Sequence, residues 1–244
     1  MPRFYTSEEN VKGDLIHIDG QEARHILNVM RMKEGDKVVV FDGTGSEYMG
    51  FIKNTKPRSL VVQVVSRATP KVSVFPRITL AQAIPKKERM DNIVEKATEL
   101  GVHSIIPVIT ERTVVVPGEA GARNKISRWK NISLAAAKQC GRTDIPEIGN
   151  VQNFYNLIDE IDGYDMVLMA HLSDNTIPLK EAISDFKAGK VMIFVGPEGD
   201  FTPDEITMAE KCQRCRFVTL GKRVMKSDTA GLYILSVLNY ELSE

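Results

Sequence analysis

The chain has 244 residues, 43% of them hydrophobic and 26% charged, which is ordinary for a globular protein and enough to bury a sizeable core in one or two domains. With 32 basic and 32 acidic residues the net charge is zero, which excludes any argument for nucleic-acid binding from the total alone. The distribution is uneven: 10 basic against 9 acidic residues in 1–70, 13 against 8 in 71–150 and 9 against 15 in 151–244, so a basic middle that could meet phosphate precedes an acidic last third.

The opening "MPRFYTSEEN" lacks the basic-then-apolar pattern of an export signal, and no uncharged apolar run approaches the roughly 18 residues needed to span a bilayer. A cytosolic protein with no membrane partner is expected. Short strands follow at "DLIHI", "DKVVVFD", "EYMGFIK" and "SLVVQVVSR", interrupted by one helix, "QEARHILNVMRM". "DGTGSE", residues 42–47, reads as a hairpin turn and not as a dinucleotide fingerprint, because it joins strand to strand and lacks the third glycine. These elements predict a small β-barrel-like domain.

At "RATPKVSVFPR" two prolines break this pattern, and strand and helix then alternate to the C-terminus. The strands are "RITLAQAI", "HSIIPVI", "YDMVLMA", "KVMIFV" and "RFVTLG". The helices are "KKERMDNIVEKATELG", "NKISRWKNISLAAAKQCG", "IPLKEAISDFK", "TPDEITMAEKC" and "TAGLYILSVLNYEL". In the first helix Met90, Ile93, Val94, Ala97 and Leu100 share one face and Gly101 is placed to end it. Such alternation predicts an α/β domain with a largely parallel sheet, starting near residue 72. On the second helix Ile126, Trp129, Ile132, Ala136 and Cys140 form a stripe suited to core or dimer packing. The three cysteines give no disulfide framework, and "CQRC" (212–215) lacks the second ligand pair of a zinc site and the strand-to-helix setting of a redox motif, so no metal site is expected.

Ligands of open parallel sheets bind beyond the carboxyl ends of the strands. Three loops meet that description: "AHLSDN" (170–175), "GPEGD" (196–200) and "GKRVMKSDTAG" (221–231). Their glycines permit close approach of backbone to ligand. Neither a P-loop nor a Rossmann fingerprint is present, and Glu198 and Asp200 would repel a phosphate but tolerate a cationic ligand. Turn punctuation alone also explains Gly and Pro in such loops. His171, in the first of these loops, and His25, which opens "HILNVMRMKEGD", read as packed or surface residues.

"RMDNIVEKATELGVHSIIPVITERTVV" (89–115), "AAAKQCGR" (135–142), "FVGPEGDFTPDE" (194–205) and "LGKRVMKSDTA" (220–230), in that order, resemble the RsmE family, and "RFY" and "HILNVMRMKEGD" (25–36) are similar to that family's opening. These are S-adenosylmethionine-dependent ribosomal RNA methyltransferases that act on N3 of a uridine in small-subunit (16S) RNA. The resemblance covers nearly the whole chain. It implies a PUA-like RNA-binding β-barrel domain over 1–71 and a SPOUT methyltransferase domain over 72–244, an α/β fold whose chain end threads a deep trefoil knot and whose knot loops hold the cofactor and pack a homodimer.

Carried onto this sequence, the resemblance implies cofactor contacts at Leu172, Gly196, Pro197, Glu198, Gly199, Leu220, Gly221, Val224 and Met225. Arg223, Lys226 and Asp228 are implied for substrate and catalysis, and Arg31, Lys86, Arg89, Arg112 and Arg142 for RNA. No residue is assigned as the general base. Three positions depart from the family pattern: Asp200 stands where a second glycine is usual, Lys226 where arginine is usual, and Asp228 where glutamate is usual. Lysine loses the planar fork, while Asp228, like Ser227, could instead cap the last helix. The alternatives are an inactive RNA-binding or ribosome-assembly factor, and a knot-type methyltransferase with another RNA target. A target presented by an assembled subunit suits basic patches spread over two domains and a dimer.

Overall fold

The computed structural model describes residues 1–69, 76–173 and 175–242. Packing divides the chain into two compact units, Met1–Ser73 with Ala137–Ile145, and Val74–Ala136 with Pro146–Glu244. The expected division at 71/72 falls outside the described residues, and residues 137–145 pack with the first unit although they lie in the range expected for the second.

In the first unit β1 (Arg3–Tyr5), β2 (Val11–Lys12), β3 (Leu15–Asp19), β4 (Lys37–Phe41), β5 (Glu47–Lys56) and β6 (Ser59–Ala68) form one sheet in the order β1-β4-β5-β6-β3-β2. Only β1 and β4 run parallel. Among the described residues no ladder joins β1 to β2, so the expected barrel is an open six-stranded order. The turn between β4 and β5 is held by Asp42, whose carboxylate accepts from the Thr44 amide at 2.9 Å, the Thr44 hydroxyl at 2.7 Å and the Tyr48 hydroxyl at 2.9 Å. Burial alone would raise the Asp42 pKa, but these donors stabilise its charge and the net shift is downward.

The single helix expected over 21–32 is a short α1 (Gly20–Arg24) followed by a π-helical turn over His25–Val29. Arg31 ends it with a left-handed backbone, φ 55°. Residues 137–145 join this unit through Lys138 on Glu22 at 2.6 Å and through backbone bonds from Gly45 to Thr143 and from Ile145 to Gly43.

The second unit is built on strands β7 (Arg77–Ala83), β8 (Ser104–Ile109), β9 (Glu147–Ile148), β10 (Gln152–Asn153), β11 (Met166–Ala170), β12 (Ile177–Pro178), β13 (Lys190–Val195) and β14 (Cys215–Thr219). All pairings are parallel, in the order β10-β8-β7-β13-β11-β14-β12 with β9 also on β8. The helices are α2 (Arg89–Glu99), α3 (Glu119–Cys140), α4 (Phe154–Asp159), α5 (Leu179–Ala182), α6 (Pro203–Glu210) and α7 (Ser227–Leu242). Among the described residues none is long and apolar enough to cross a membrane.

The apolar runs of the central strands serve both faces of the sheet, as parallel strands covered by helices require. Met166, Leu168, Val191, Ile193 and Val195 face a cluster with Met90, Ile93, Val94, Trp129, Ile234 and Leu238. Their neighbours Val167, Met169, Met192 and Phe194 face Phe154, Leu157, Phe201 and Ala209. Trp129 is therefore core, and its indole donates to Asp91 at 3.1 Å. Cys140, the end of the same stripe, is exposed.

Helix α2 starts at Arg89, three residues after the Lys86 at which the expected helix opened, because Lys87 has a left-handed backbone (φ 62°), and it stops just before Gly101 (φ 82°) as expected. The helix expected over 177–187 is cut to one turn, since Ile177 and Pro178 pair with Val218 and Thr219 as an edge strand. Helix α4, unassigned in the sequence reading, is capped by Asn153, which accepts from the Tyr155 amide.

Cys212 and Cys215 are both partly buried, and burial pushes the Cys215 thiol up to about 12. The thiolate is the reactive form. At pH 8 iodoacetamide is therefore expected to label Cys140 in the native protein and Cys215 only after unfolding, as read by peptide mass mapping. Labelling of both at equal rates in the native protein would contradict the burial.

Candidate active site

The carboxyl ends of β11, β13 and β14, three adjacent strands, carry the three loops expected to bind a ligand. They enclose a cavity of about 250 Å³. Its apolar wall includes Ala170, Val195, Val218, Leu220, Met225 and Ala230, and its polar edge includes Glu198, Asp200, Thr219, Arg223 and Lys226. Of the nine residues expected to contact a cofactor, Leu172, Gly196, Pro197, Glu198, Leu220, Gly221, Val224 and Met225 line it. Gly199 does not, although it belongs to the same loop. Val224 is 73% exposed and Leu172 63% exposed, so both stand at the rim, whereas Met225 packs against the core.

Chain geometry explains the glycines at two positions. A Cβ on Gly196 would stand 3.1 Å from the Phe201 ring and 3.4 Å from the Asp200 backbone. Gly221 has φ 114°, a conformation that side-chain-bearing residues avoid whatever the space.

The loop after β13 is fastened at several points. Glu198 accepts from the Lys86 amide at 3.2 Å and from the Arg89 guanidinium at 3.3 Å. Arg112 donates to the carbonyl oxygens of Gly199 and, at 3.1 Å, of Phe201. Helix α6 begins with a capping box between Thr202 and Glu205. The buried Glu205 carboxylate also accepts from the Glu111 amide at 2.9 Å, so the loop's far end is tied to the segment after β8. On the other side Ser227, the first residue of α7, donates through its hydroxyl to the Gly196 carbonyl at 2.6 Å and accepts from the Gln82 side-chain Nε2 at 2.9 Å. Ser227 thus acts as a buried link between the loop after β13, strand β7 and α7, rather than as the cap considered from sequence.

Arg223 and Lys226 are exposed at the cavity, and among the described residues neither forms an ion pair. This separates them from other cations, such as Arg128 on Asp91 and Arg216 on Asp185. Asp228 is in the first turn of α7, outside the lining, with Oδ1 buried and without a hydrogen-bond partner.

Residues 73–239 match the family model described as an RNA methyltransferase domain. The chain belongs to this RNA methyltransferase family. Residues 18–65 match the RNA methyltransferase PUA domain. The ribosomal RNA small subunit methyltransferase E of Bacillus subtilis (strain 168) is 29% identical over 251 residues, spanning 99% of this chain and 97% of its own. A methyltransferase of Legionella pneumophila, solved with bound cofactor SAM, is 30% identical with a TM-score of 0.85, covering 98% of this chain and 97% of that one. The ribosomal RNA small subunit methyltransferase E of Neisseria gonorrhoeae, solved bound to S-adenosyl methionine, is 28% identical with a TM-score of 0.84, covering 99% and 98%. The resemblance to the RsmE family drawn from the motifs therefore holds over the whole chain.

In this RNA methyltransferase the residues expected to face RNA are dispersed in role. Arg89 and Arg112 are engaged with the loop after β13, and Lys86 contributes its backbone amide to the same loop while its side chain is exposed. Arg31 and Arg142 belong to the first unit, where Arg142 pairs with Asp144 at 2.5 Å and its carbonyl accepts from Arg3.

Sequence reading missed four participants: His171, Thr219, Lys222 and Ser227. His171 and Thr219 line the cavity, Lys222 lines a groove at its mouth, and Ser227 fastens it. Only Asp200, an acid where glycine is usual, was a signal toward His171. Their proximity is a product of folding.

Proposed function

We propose that this RNA methyltransferase transfers a methyl group from S-adenosyl-L-methionine to N3 of a uridine in small-subunit ribosomal RNA. The observation that carries the reading is the cavity beyond β11, β13 and β14, apolar in its wall, acidic at Glu198 and Asp200, with Arg223 and Lys226 on its edge and neither ion-paired among the described residues. An apolar wall suits an adenine ring, and the Glu198 carboxylate suits a ligand bearing a positive sulfonium. Leu172, Gly196, Pro197, Glu198, Gly199, Leu220, Gly221, Val224 and Met225 would hold the cofactor.

When bound, S-adenosylmethionine supplies an electrophilic methyl carbon. The chain's own residues must orient the target and handle the proton on uracil N3, which is a poor nucleophile while protonated. Negative charge then spreads to the flanking carbonyl oxygens, and the Lys226 ammonium and the Arg223 guanidinium at the cavity would stabilise it. Asp228, in the first turn of α7 with its buried Oδ1 unpartnered, completes the proposed catalytic set. The loop anchors at Glu198, Arg112 and Ser227 keep the cavity's backbone from reorganising during transfer.

The two-domain division follows the same reading: 1–71 as the RNA-binding PUA-like domain and 72–244 as the SPOUT methyltransferase domain. A deep trefoil knot is part of the proposal, supported by the return of α7 from β14 to pack on β7, β13 and α2, with Ser227 bonded to Gly196. So are a cytosolic homodimer and a target within an assembled small subunit, with Arg31, Lys86, Arg89, Arg112 and Arg142 contributing RNA-facing charge. Exposed Val114 and Val116 are consistent with a covered surface.

The test mixes the purified protein with labelled S-adenosylmethionine and small subunits lacking the modification, then identifies the labelled nucleoside. Label in 3-methyluridine is the expected result. Label in another nucleoside would overturn the target but leave the reaction class. No transfer, with the same subunits accepted by an active control enzyme, would overturn the reading in favour of an RNA-binding factor.

A further inference from the structure

Asp200 occupies a backbone position that favours glycine, φ 60°, and its carboxylate is in use on every side. Its amide donates to the Pro197 carbonyl at 3.0 Å, closing the turn. Oδ1 accepts from the Phe201 amide at 2.9 Å. Oδ2 accepts from the Leu172 amide at 3.1 Å and lies 2.8 Å from His171 Nδ1.

The partners extend this contact to all three strand ends. Phe201 is 3% exposed in the core beneath the sheet, so the Oδ1 bond is made to a fixed point. His171 donates its own amide to the Val218 carbonyl of β14 at 3.3 Å and sets its ring edge-on against Phe217, with centroids 6.4 Å apart. One carboxylate therefore ties the loop after β11 to the loop after β13, and through His171 to β14. A glycine at position 200 would relieve the backbone but make none of the side-chain bonds. Aspartate tolerates the left-handed region better than most residues because its short polar side chain bonds locally.

Resting on the methyl-transfer reading above, we propose that Asp200 is a positioning residue of the cofactor pocket, holding His171 and Leu172 in the conformation that receives the ligand. A loop fixed before binding loses less freedom on binding, and affinity gains accordingly. With the Leu172 amide engaged by Asp200, this loop contributes shape rather than a free backbone donor.

Direct attraction between the carboxylate and a sulfonium predicts a different pattern. S-adenosylhomocysteine shares the adenosine and amino-acid parts of S-adenosylmethionine but has a neutral sulfur. A positioning role affects both ligands alike, whereas a charge role affects the sulfonium alone.

The experiment measures calorimetric affinity of the full chain and of Asp200→Gly and Asp200→Asn for both ligands, with amide hydrogen exchange of the segment containing Leu172. In Asp200→Gly, affinity for both ligands is expected to fall together by about tenfold, with faster exchange at Leu172. Asp200→Asn tolerates the same backbone and keeps an acceptor oxygen, and is expected to stay within about threefold of wild type. Loss for S-adenosylmethionine alone, or unchanged affinity and exchange, would overturn the proposal. If the glycine variant unfolds, the asparagine variant decides: selective loss for the sulfonium ligand there overturns positioning equally. Wild type that binds neither ligand would sink the methyl-transfer reading, while the Leu172 exchange rates would still decide whether Asp200 holds the loop.

Discussion

Lys226→Ala is expected to lower kcat for methyl transfer about 100-fold, the loss typical of removing one donor that stabilises developing negative charge, while affinity for S-adenosylmethionine stays within about threefold. The asymmetry follows from position. Lys226 is exposed at the cavity mouth, and its charge is not committed to any ion pair among the described residues. Its truncation removes no buried bond and should leave thermal stability unchanged within about 0.5 kcal/mol. Lys226→Arg restores the positive charge and adds the planar fork that the family pattern usually carries here, and should retain most activity. Single-turnover rates and calorimetry on the same samples separate the two quantities. An alanine variant whose loss lies wholly in cofactor affinity would move Lys226 from transition-state stabilisation to the binding wall.

Ser227→Ala is expected to cost the second unit about 3 kcal/mol. Ser227 is 7% exposed, and its hydroxyl both donates to the Gly196 carbonyl and accepts from the Gln82 side-chain Nε2. Alanine leaves a buried carbonyl and one Gln82 N–H without these partners, each worth about 1–3 kcal/mol when desolvated and unmet. Gln82 is wholly buried, with its Oε1 already unpartnered and one remaining bond, to the Ala83 carbonyl. A fall in Tm of roughly 6–12 °C follows for a unit of this size. Because the lost bond held Gly196, cofactor affinity should weaken as well, by about tenfold. Ser236 is a suitable control: its hydroxyl donates to Leu232 one turn back on the exposed side of the same helix, and Ser236→Ala should change stability by less than about 0.5 kcal/mol. Equal Tm for the two variants would mean that the Ser227 hydroxyl is dispensable.

Both residues sit in one stretch, "VMKSDTA", and its legibility in the sequence differed by position. The motif drew attention to Lys226 because charge and a departure from arginine are visible in the letters. Ser227 looked like a helix cap, because serine before an apolar helical run is ordinarily one. Its actual partners, Gly196 and Gln82, are 31 and 145 residues away, and no local pattern encodes such pairings. Arg89 and Arg112 show the same limit: their motif suggests a role toward RNA, but nothing local in it encodes the bonds they make to Glu198 and Gly199, more than 80 residues away.

By itself the sequence determined the main alternation of strand and helix from Arg77 on, the apolar face of α2 with its glycine stop, the three candidate ligand loops and, through long motifs, the family. These depend on hydrophobic period, backbone permissiveness and residue identity, all local properties of the chain. Only the tertiary structure decided the open strand order of the first unit, the recruitment of 137–145 to it, the use of Ile177 and Pro178 as an edge strand instead of a helix start, and the meeting of His171 with Asp200. Each depends on hydrogen-bonding groups distant in the chain finding one another once the cores have packed, and a buried polar group without such a partner is costly enough to override local preference.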